Sequence, residues 1–284
     1  RFSHTLNVGT FHTFTKPGGI TSPYHLAYAS ASPFLRPYFR RLDGRIAVSS
    51  AAYQFVSRYF TADYQIIPNG VDQLRFHDGV RPLPEFQDGK QNILFVGRFE
   101  RRKGAKYLLR AIPFIRERHP DTRFIFVGEG RLRYAFQRYV QRHELQDVIF
   151  TGYVSDADLP RYFASADIFC APAVSGESMG IVLLEAMAAG KPIVASNIPG
   201  YATVVNSGSD GLLTPPRDSQ ELANAVGYLL DNEPLRRRFV ETGQRKIHEY
   251  AWPYVARKIL DYYYMLLDEH NFALRSSRVT YKKR

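Results

Sequence analysis

The chain has 284 residues, 45% of them hydrophobic, enough for a globular fold with one large core or two ordinary ones and too apolar for a disordered polyelectrolyte. Lysine and arginine number 38 against 27 acidic residues, so the net charge is +11 and the pI near 9.7, which suits a polyanionic partner: nucleic acid, an anionic membrane surface or a diphosphate-bearing small molecule. No run approaches the roughly 18 apolar residues of a membrane-spanning helix, the start Arg1-Phe2-Ser3-His4 does not resemble a signal peptide, and a single cysteine, Cys170, rules out an internal disulfide.

In chain order, Leu6 to Phe14 and Gly44 to Ser49 read as strands and Ser50 to Phe60 as a helix. This first α/β unit ends at the turn Pro68-Asn69-Gly70-Val71-Asp72, where Asn-Gly is strong turn chemistry, so a domain boundary is expected after Val71. The stretch from Phe76 to Lys90 holds Gly79, Pro82, Pro84 and Gly89 without periodicity and reads as loop or linker. From Asn92 short β-rich runs alternate with helical patterns: strands at 92–97, 122–128, 148–152, 167–172, 192–197 and 211–214, and helices at 106–119, 131–145, 156–166, 181–189 and 219–231. Such alternation defines a doubly wound α/β domain with a parallel sheet. Pro234 to Tyr250 and Trp252 to His270 are helical patterns broken at Trp252-Pro253, and Arg275 to Arg284 is a basic tail expected to be mobile. The resulting division is 1–71, 72–250 and 251–284.

The strongest clue to chemistry is the pair Glu177 and Glu185, seven residues apart in between, just after a hydrophobic strand and across a predicted helix start. Open α/β sheets place ligands at that edge, and two carboxylates there suit a polyol held by its hydroxyls. Gly97-Arg98 closes the 92–97 strand and Arg101-Arg102-Lys103-Gly104 follows before a helix, so cations fitted to a diphosphate lie beside the same edge. Gly152-Tyr153-Val154-Ser155-Asp156 ends another strand; Val154 and Asp156 suit a base or ribose, and Asp156 also suits an N-cap. His12, at the end of the first strand, would face a cleft between domains. Gly128-Glu129-Gly130 lacks the third glycine of a dinucleotide fingerprint. Neither an Asp-x-Asp metal pair nor a His/Cys cluster with ligand spacing is read from the sequence, and a metal-independent site is expected.

Together these segments, with Ala186 to Ala195, closely resemble the retaining glycosyltransferases of the GT-B type, two Rossmann-like domains, in the group 1 family with the E-x7-E signature. Within it the chain is most similar to the phosphatidylinositol α-mannosyltransferases, through Thr10 to Thr13, Gly44 to Ser49, Ile67 to Asp72 and Gly176 to Ala189. The resemblance implies that Glu177 meets the donor sugar's hydroxyls and Glu185 the ribose. It assigns the diphosphate to Arg98 and Lys103 beside Gly97, with further donors from the segment Ser178, Met179, Gly180 and Ile181 at a helix N-terminus, while the short 97–104 loop leaves open which of Arg101, Arg102 and Lys103 points inward. It gives the base to Val154 and Asp156 and brings His12 to the sugar from the other domain. It implies transfer of a hexose with retention by same-face attack, GDP-mannose as donor, no cofactor, and a phosphoinositide-type acceptor at the inner face of the plasma membrane, with the protein cytoplasmic and peripheral and no role for nucleic acid. UDP-glucose or UDP-N-acetylglucosamine with a soluble acceptor stays open, because the glutamates and cations do not read the base.

The chain departs from the family in ways that set further expectations. It starts without methionine in a strand-like stretch and lacks the family's glycine-rich loop, for which Gly18-Gly19 is no substitute, so it is expected to be a fragment with only part of the first domain and little transfer activity. The family's last helix crosses back to the first domain, a part that falls to Trp252 to His270 with Tyr262, Tyr263, Tyr264 and Met265 packing. Two other classes compete. Gly176-Glu177-Ser178-Met179-Gly180 matches a serine-hydrolase elbow, with Asp210 or Asp218 and His248 following in order, although Pro172 to Ser175 separates it from its strand. A basic binding module without catalysis is the other, and no nucleic-acid motif supports it.

Overall fold

The computed structural model describes the backbone of residues 5–13, 23–77 and 79–281, and the side chains of these residues apart from 23–25 and 270–281. Phe14, Gly18-Gly19 and residues 282–284 of the basic tail lie outside the described residues.

Three short strands, β1 (Val8–Phe11), β2 (Gly44–Ala47) and β3 (Gln65–Ile66), pair in parallel in that order. A long helix, α1 (Pro23–Phe39), joins β1 to β2, and α2 (Ser50–Val56) follows β2, capped by the Ser49 hydroxyl, which accepts from Ala52 N at 3.0 Å. The sequence reading made no helix of α1. Pro33 and Pro37 fall inside it, and Phe34, Leu35 and Tyr38 are exposed, so the segment carries helix breakers and no clean apolar stripe. The helix predicted over 50–60 stops at Val56.

The second sheet has six parallel strands: β4 (Gln91–Val96), β5 (Thr122–Val127), β6 (Val148–Gly152), β7 (Ile168–Ala171), β8 (Ile193–Ser196) and β9 (Leu212–Thr214). Their spatial order is β6-β5-β4-β7-β8-β9. The crossovers are α3 (Ala105–Arg116), α4 (Arg133–Arg142), α5 (Leu159–Ala164) and α6 (Ile181–Ala188). After β9 come α7 (Ser219–Asp231), α8 (Glu233–Ile247) and α9 (Trp252–Tyr281).

Helices cover both faces, which is why the central strands are apolar throughout and not alternating. Ile93, Phe95, Phe124, Phe126, Ile168 and Val194 point to one core with α3 and α7; Leu94, Ile125, Phe169, Ile193 and Ala195 point to the other with α6. Cys170 is fully buried in the first, and burial pushes its thiol far up, as expected of a structural cysteine.

The stretch 76–90, read as a free loop or linker, is packed onto the sheet. Phe76, Leu83 and Phe86 are buried, Ser165 Oγ accepts from Leu83 N at 2.9 Å, and Asn92 Nδ2 donates to the carbonyls of Phe86 and Ser165. A single turn of 3-10 helix at Pro84–Phe86 escapes periodicity because it is shorter than the pattern that would reveal it. The last helix runs to Tyr281, past the His270 end expected from sequence and through the first part of the supposed tail.

α9 returns to the first sheet. Val255, Ile259, Tyr262 and Leu266 follow helical spacing and pack on Val8, Ile46, Ile67 and Gly44, and Tyr262 Oη accepts from Arg45 N at 2.9 Å. Tyr263, Tyr264 and Met265, expected in the same contact, are exposed on the opposite side, since only one stripe of a helix can face the sheet. Val71 bridges to Ala251 beside this helix, and Trp252 covers Gly70.

Candidate active site

The strand order reverses at β4, whose neighbours are β5 and β7. The chain leaves β4 toward one edge and later returns to the other, so the connections diverge at the carboxyl ends and leave a crevice there. Two loops meet in it. Residues 97–104 follow β4, and residues 172–180 follow β7. They are joined where Val174 N donates to the Arg102 carbonyl at 2.8 Å. Gly104 turns with φ +70° against Pro172, where a Cβ would collide with the carbonyl oxygen, so no other residue lets the loops approach this closely.

Glu177 lies in this crevice, buried to 8% exposure. Arg102 Nη1 donates to its Oε1 at 2.6 Å, and Lys103 Nζ stands 2.9 Å from the same oxygen. Both cations are partly covered, so the pairing is stronger than that of a solvated surface pair. Oε2 makes no hydrogen bond among the described residues and is free to accept a hydroxyl. Of the three basic residues between which sequence did not choose, Arg102 and Lys103 point inward and Arg101 is exposed. Arg98 behaves differently from its assignment beside Lys103: its side chain is 69% exposed and pairs with Glu100 at 3.1 Å. Arg102, absent from the assigned residues, takes the inner place because the 3-10 turn at Arg101–Lys103 swings successive side chains by a third of a circle.

Glu185 lies one turn into α6 and is largely buried. Burial raises its carboxyl to about 7; Arg75 and Lys103 pull it down and Asp156 pushes it up. Asp156 is therefore near it, in the loop after β6, where Val154 packs against the core that holds α6. Asp156 is exposed and is not the N-cap expected of it: α5 begins at Leu159, and the loop is closed by the Ser155 hydroxyl donating to Asp158 at 2.7 Å. Asp156-Ala157-Asp158 has the spacing of an Asp-x-Asp metal pair, a feature the sequence reading passed over. No cluster of three metal-ligating side chains forms there or elsewhere among the described residues.

Ser178, Met179, Gly180 and Ile181 lead into α6, whose N-cap Gly180 has φ +84° and no capping side chain. The first amides of the helix thus lack a side-chain acceptor at the edge of the crevice, an arrangement suited to an anion. The first unit grips this loop: Ser49 Oγ donates to the Ser178 carbonyl at 2.5 Å, and Asn69 N to Met179 Sδ at 3.4 Å. Gly97 sits at the end of β4 against Phe95 and the Lys103 stem. His12, just past β1, is exposed and makes no hydrogen bond among the described residues.

The hydrolase constellation does not form. The Asp210 carboxylate pairs with Lys246 at 2.7 Å and accepts from Asn206 N, Asp218 caps α7, and His248 lines a cavity with Gln73, Phe76 and Ala188. No imidazole reaches the Ser178 hydroxyl among the described residues.

An open parallel sheet with carboxylates, cations and a bare helix N-terminus at its switch point defines a protein built to hold a charged, hydroxyl-rich ligand. Residues 81–246 match the sequence profile of the glycosyl transferases group 1, more than half of the chain, and the chain belongs to that family. It is 38% identical over 262 residues to a phosphatidyl-myo-inositol mannosyltransferase of Mycobacterium leprae, covering 90% of this chain and 66% of that protein. It is 36% identical to the protein of the same description from Mycolicibacterium smegmatis, covering 64% of it. The chain thus spans just under two thirds of the length of these relatives. Among solved structures, sucrose-phosphate synthase of Thermosynechococcus elongatus superposes with a TM-score of 0.77 at 25% identity over 92% of this chain and 68% of that one. Anabaena HepE in complex with UDP and glucose does so at 0.74 and 23% over 90% and 71%. The fold is the GT-B arrangement expected from the sequence, with the first Rossmann-like unit present in part.

Proposed function

We propose that the protein to which this chain belongs is a retaining hexosyltransferase that moves mannose from GDP-mannose to a phosphatidylinositol-type lipid. The observation that carries the reading is Glu177: a buried carboxylate held on one oxygen by Arg102 and Lys103, with the other oxygen open, at the switch point of the sheet. The relatives' description supports the sugar and the acceptor.

In this reading the donor's diphosphate lies between Lys103, Arg102 and the first amides of α6, where cations and a helix N-terminus oppose its charge. As the sugar–phosphate bond lengthens, negative charge gathers on the leaving diphosphate, and the same cations stabilise it more than they do the ground state. Glu177 accepts hydroxyls of the sugar, fixes its orientation and supports the positive charge growing on the ring. Glu185 accepts from the ribose, and Val154 with Asp156 edges the base. His12 and Arg98 are assigned to the closed complex, His12 reaching the sugar from the first unit. The departing diphosphate takes the acceptor's proton on the same face as attack, so no protein nucleophile enters. The protein acts at the cytoplasmic membrane surface, to which its positive charge draws it.

The test is transfer by the full-length protein carrying Glu177→Gln, which keeps the shape and removes the charge. A fall in kcat of roughly 10² or more is expected; unchanged transfer overturns the assignment. A thermal-shift comparison of GDP-mannose with UDP-glucose and UDP-N-acetylglucosamine reads the base, because a ligand stabilises the folded state by RT ln(1 + [L]/Kd).

A further inference from the structure

Arg75 belongs to none of the groups assigned above, yet it bonds to one of them, Asp156, and its charge acts on another, Glu185. It lies in the segment that joins the two sheets, just after the Pro68 to Asp72 turn. Asp72 fixes its position: the Asp72 carbonyl accepts from Arg75 N at 3.2 Å, and the Asp72 carboxylate accepts from Leu74 N at 3.0 Å. The neighbouring Phe76 is an anchor, 2% exposed and packed edge-on against Phe163 with ring centroids 5.4 Å apart. The Arg75 guanidinium lies over the Phe76 ring at 5.2 Å and, through Nη2, donates to the carbonyl of Asp156.

A planar cation held on an aromatic face has little rotamer freedom left to lose, so the bond to Asp156 keeps its geometry. Three charged groups act on Glu185 through space: Arg75 from the linking segment, Lys103 from the turn before α3, and Asp156 from the loop after β6. Of these Arg75 has the largest influence, and it opposes the effect of burial. One side chain therefore fastens the loop expected to edge the base, and its charge reaches the carboxylate expected to meet the ribose.

We propose that Arg75 is a positioning residue of the donor site, fastening the 154–156 loop to the segment that links the two sheets, so that this segment sets the affinity for a nucleoside diphosphate. The inference rests on the donor-site reading above and deepens it. It also links domain geometry to binding: any shift of the 68–76 segment moves a contact of the nucleoside end of the site.

The test uses the full chain and GDP as the probe, with binding measured by calorimetry across the range from pH 5.5 to 8.5, roughly the span over which a carboxyl near 7 changes charge. Arg75→Gln is expected to weaken GDP binding by about three- to tenfold near neutrality, the loss of one partly solvated charge-assisted bond. It is also expected to move the acid limb of the binding profile upward, because Glu185 without its cation holds its proton to higher pH. Arg75→Lys keeps the charge, and with it the position of the acid limb, while recovering only part of the affinity. In the Glu185→Gln protein the acid limb is absent and Arg75→Gln no longer moves it. A merely structural Arg75 would lower affinity equally at every pH. GDP binding that Arg75→Gln leaves unchanged in strength and pH profile overturns the proposal alone, whereas failure of the unsubstituted chain to bind any nucleoside diphosphate overturns the donor-site reading and this inference with it.

Discussion

Glu185 shows how a buried carboxylate burdens a fold. Its carboxyl ionises near 7 in the folded protein against 4.5 ordinarily, so the folded state keeps its proton to higher pH than the unfolded chain does. The cost of the buried charge is absent below about pH 4.5, grows between there and 7, and is complete above. Glu185→Gln should therefore stabilise the chain at pH 8, by no more than about 3.5 kcal/mol at about 1.4 kcal/mol per unit of displacement, and leave it unchanged at the acid end. Melting temperatures of the two proteins across pH give the check; a gain that persists at low pH would show that packing and not charge is responsible. Lys103 and Arg102 invite a second prediction. Lys103→Ala leaves Arg102 on Glu177, so the empty protein should lose little stability while donor binding weakens by tenfold or more, the diphosphate having lost a buried cation. Equal binding of GDP by both proteins, measured by calorimetry, would remove Lys103 from the diphosphate site.

At the scale of elements, the strongly periodic parts of the second unit were legible and the irregular parts were not. All six of its strands fall within a residue or two of their expected limits because burial on both faces makes each a short, unbroken apolar run between turn residues. Glu177 and Glu185 were legible through spacing and strand-end position. Arg102 was not, since in a run of three cations only the hand of a 3-10 turn decides which point inward. Arg75 was hidden for a related reason: its partners Asp156 and Glu185 are remote in sequence. α1 was missed because two prolines and exposed aromatics erase its apolar face. α9 was found, but its packing face had to be chosen by geometry. Leu266, 7% exposed and set against Gly44, is the test of that choice. Leu266→Ala should cost about 2–4 kcal/mol of stability, read by denaturant unfolding, whereas Tyr264→Ala on the exposed side should cost under about 0.5 kcal/mol. Reversed magnitudes would place the tyrosine stripe in the contact.

For the whole molecule the net charge of +11 raises the question of what the excess serves. The cations of the proposed donor site account for little of it, because Arg98, Arg102 and Lys103 are met by two carboxylates, Glu100 and Glu177. Much of the remainder is exposed. On α1 and the turn after it, Arg36, Arg40 and Arg41 are exposed together with Phe34, Leu35 and Tyr38, so charge and apolar surface coincide on one element of the first unit. No helix among the described residues is long and apolar enough to cross a membrane, and attachment through this surface would be interfacial. Attraction to anionic headgroups is worth about 1 kcal/mol for each basic residue near the surface and fades within a Debye length, about 10 Å at 0.1 M salt. Sedimentation with vesicles containing phosphatidylinositol should therefore show binding that falls steeply as salt rises, with little binding to neutral vesicles at any salt. Arg40→Glu with Arg41→Glu should reduce it several-fold, and a pair of substitutions of the same charge change at Arg142 and Arg138 on α4 should reduce it less. Equal losses from both pairs would assign the attraction to the net charge as a whole and leave α1 no special part in it.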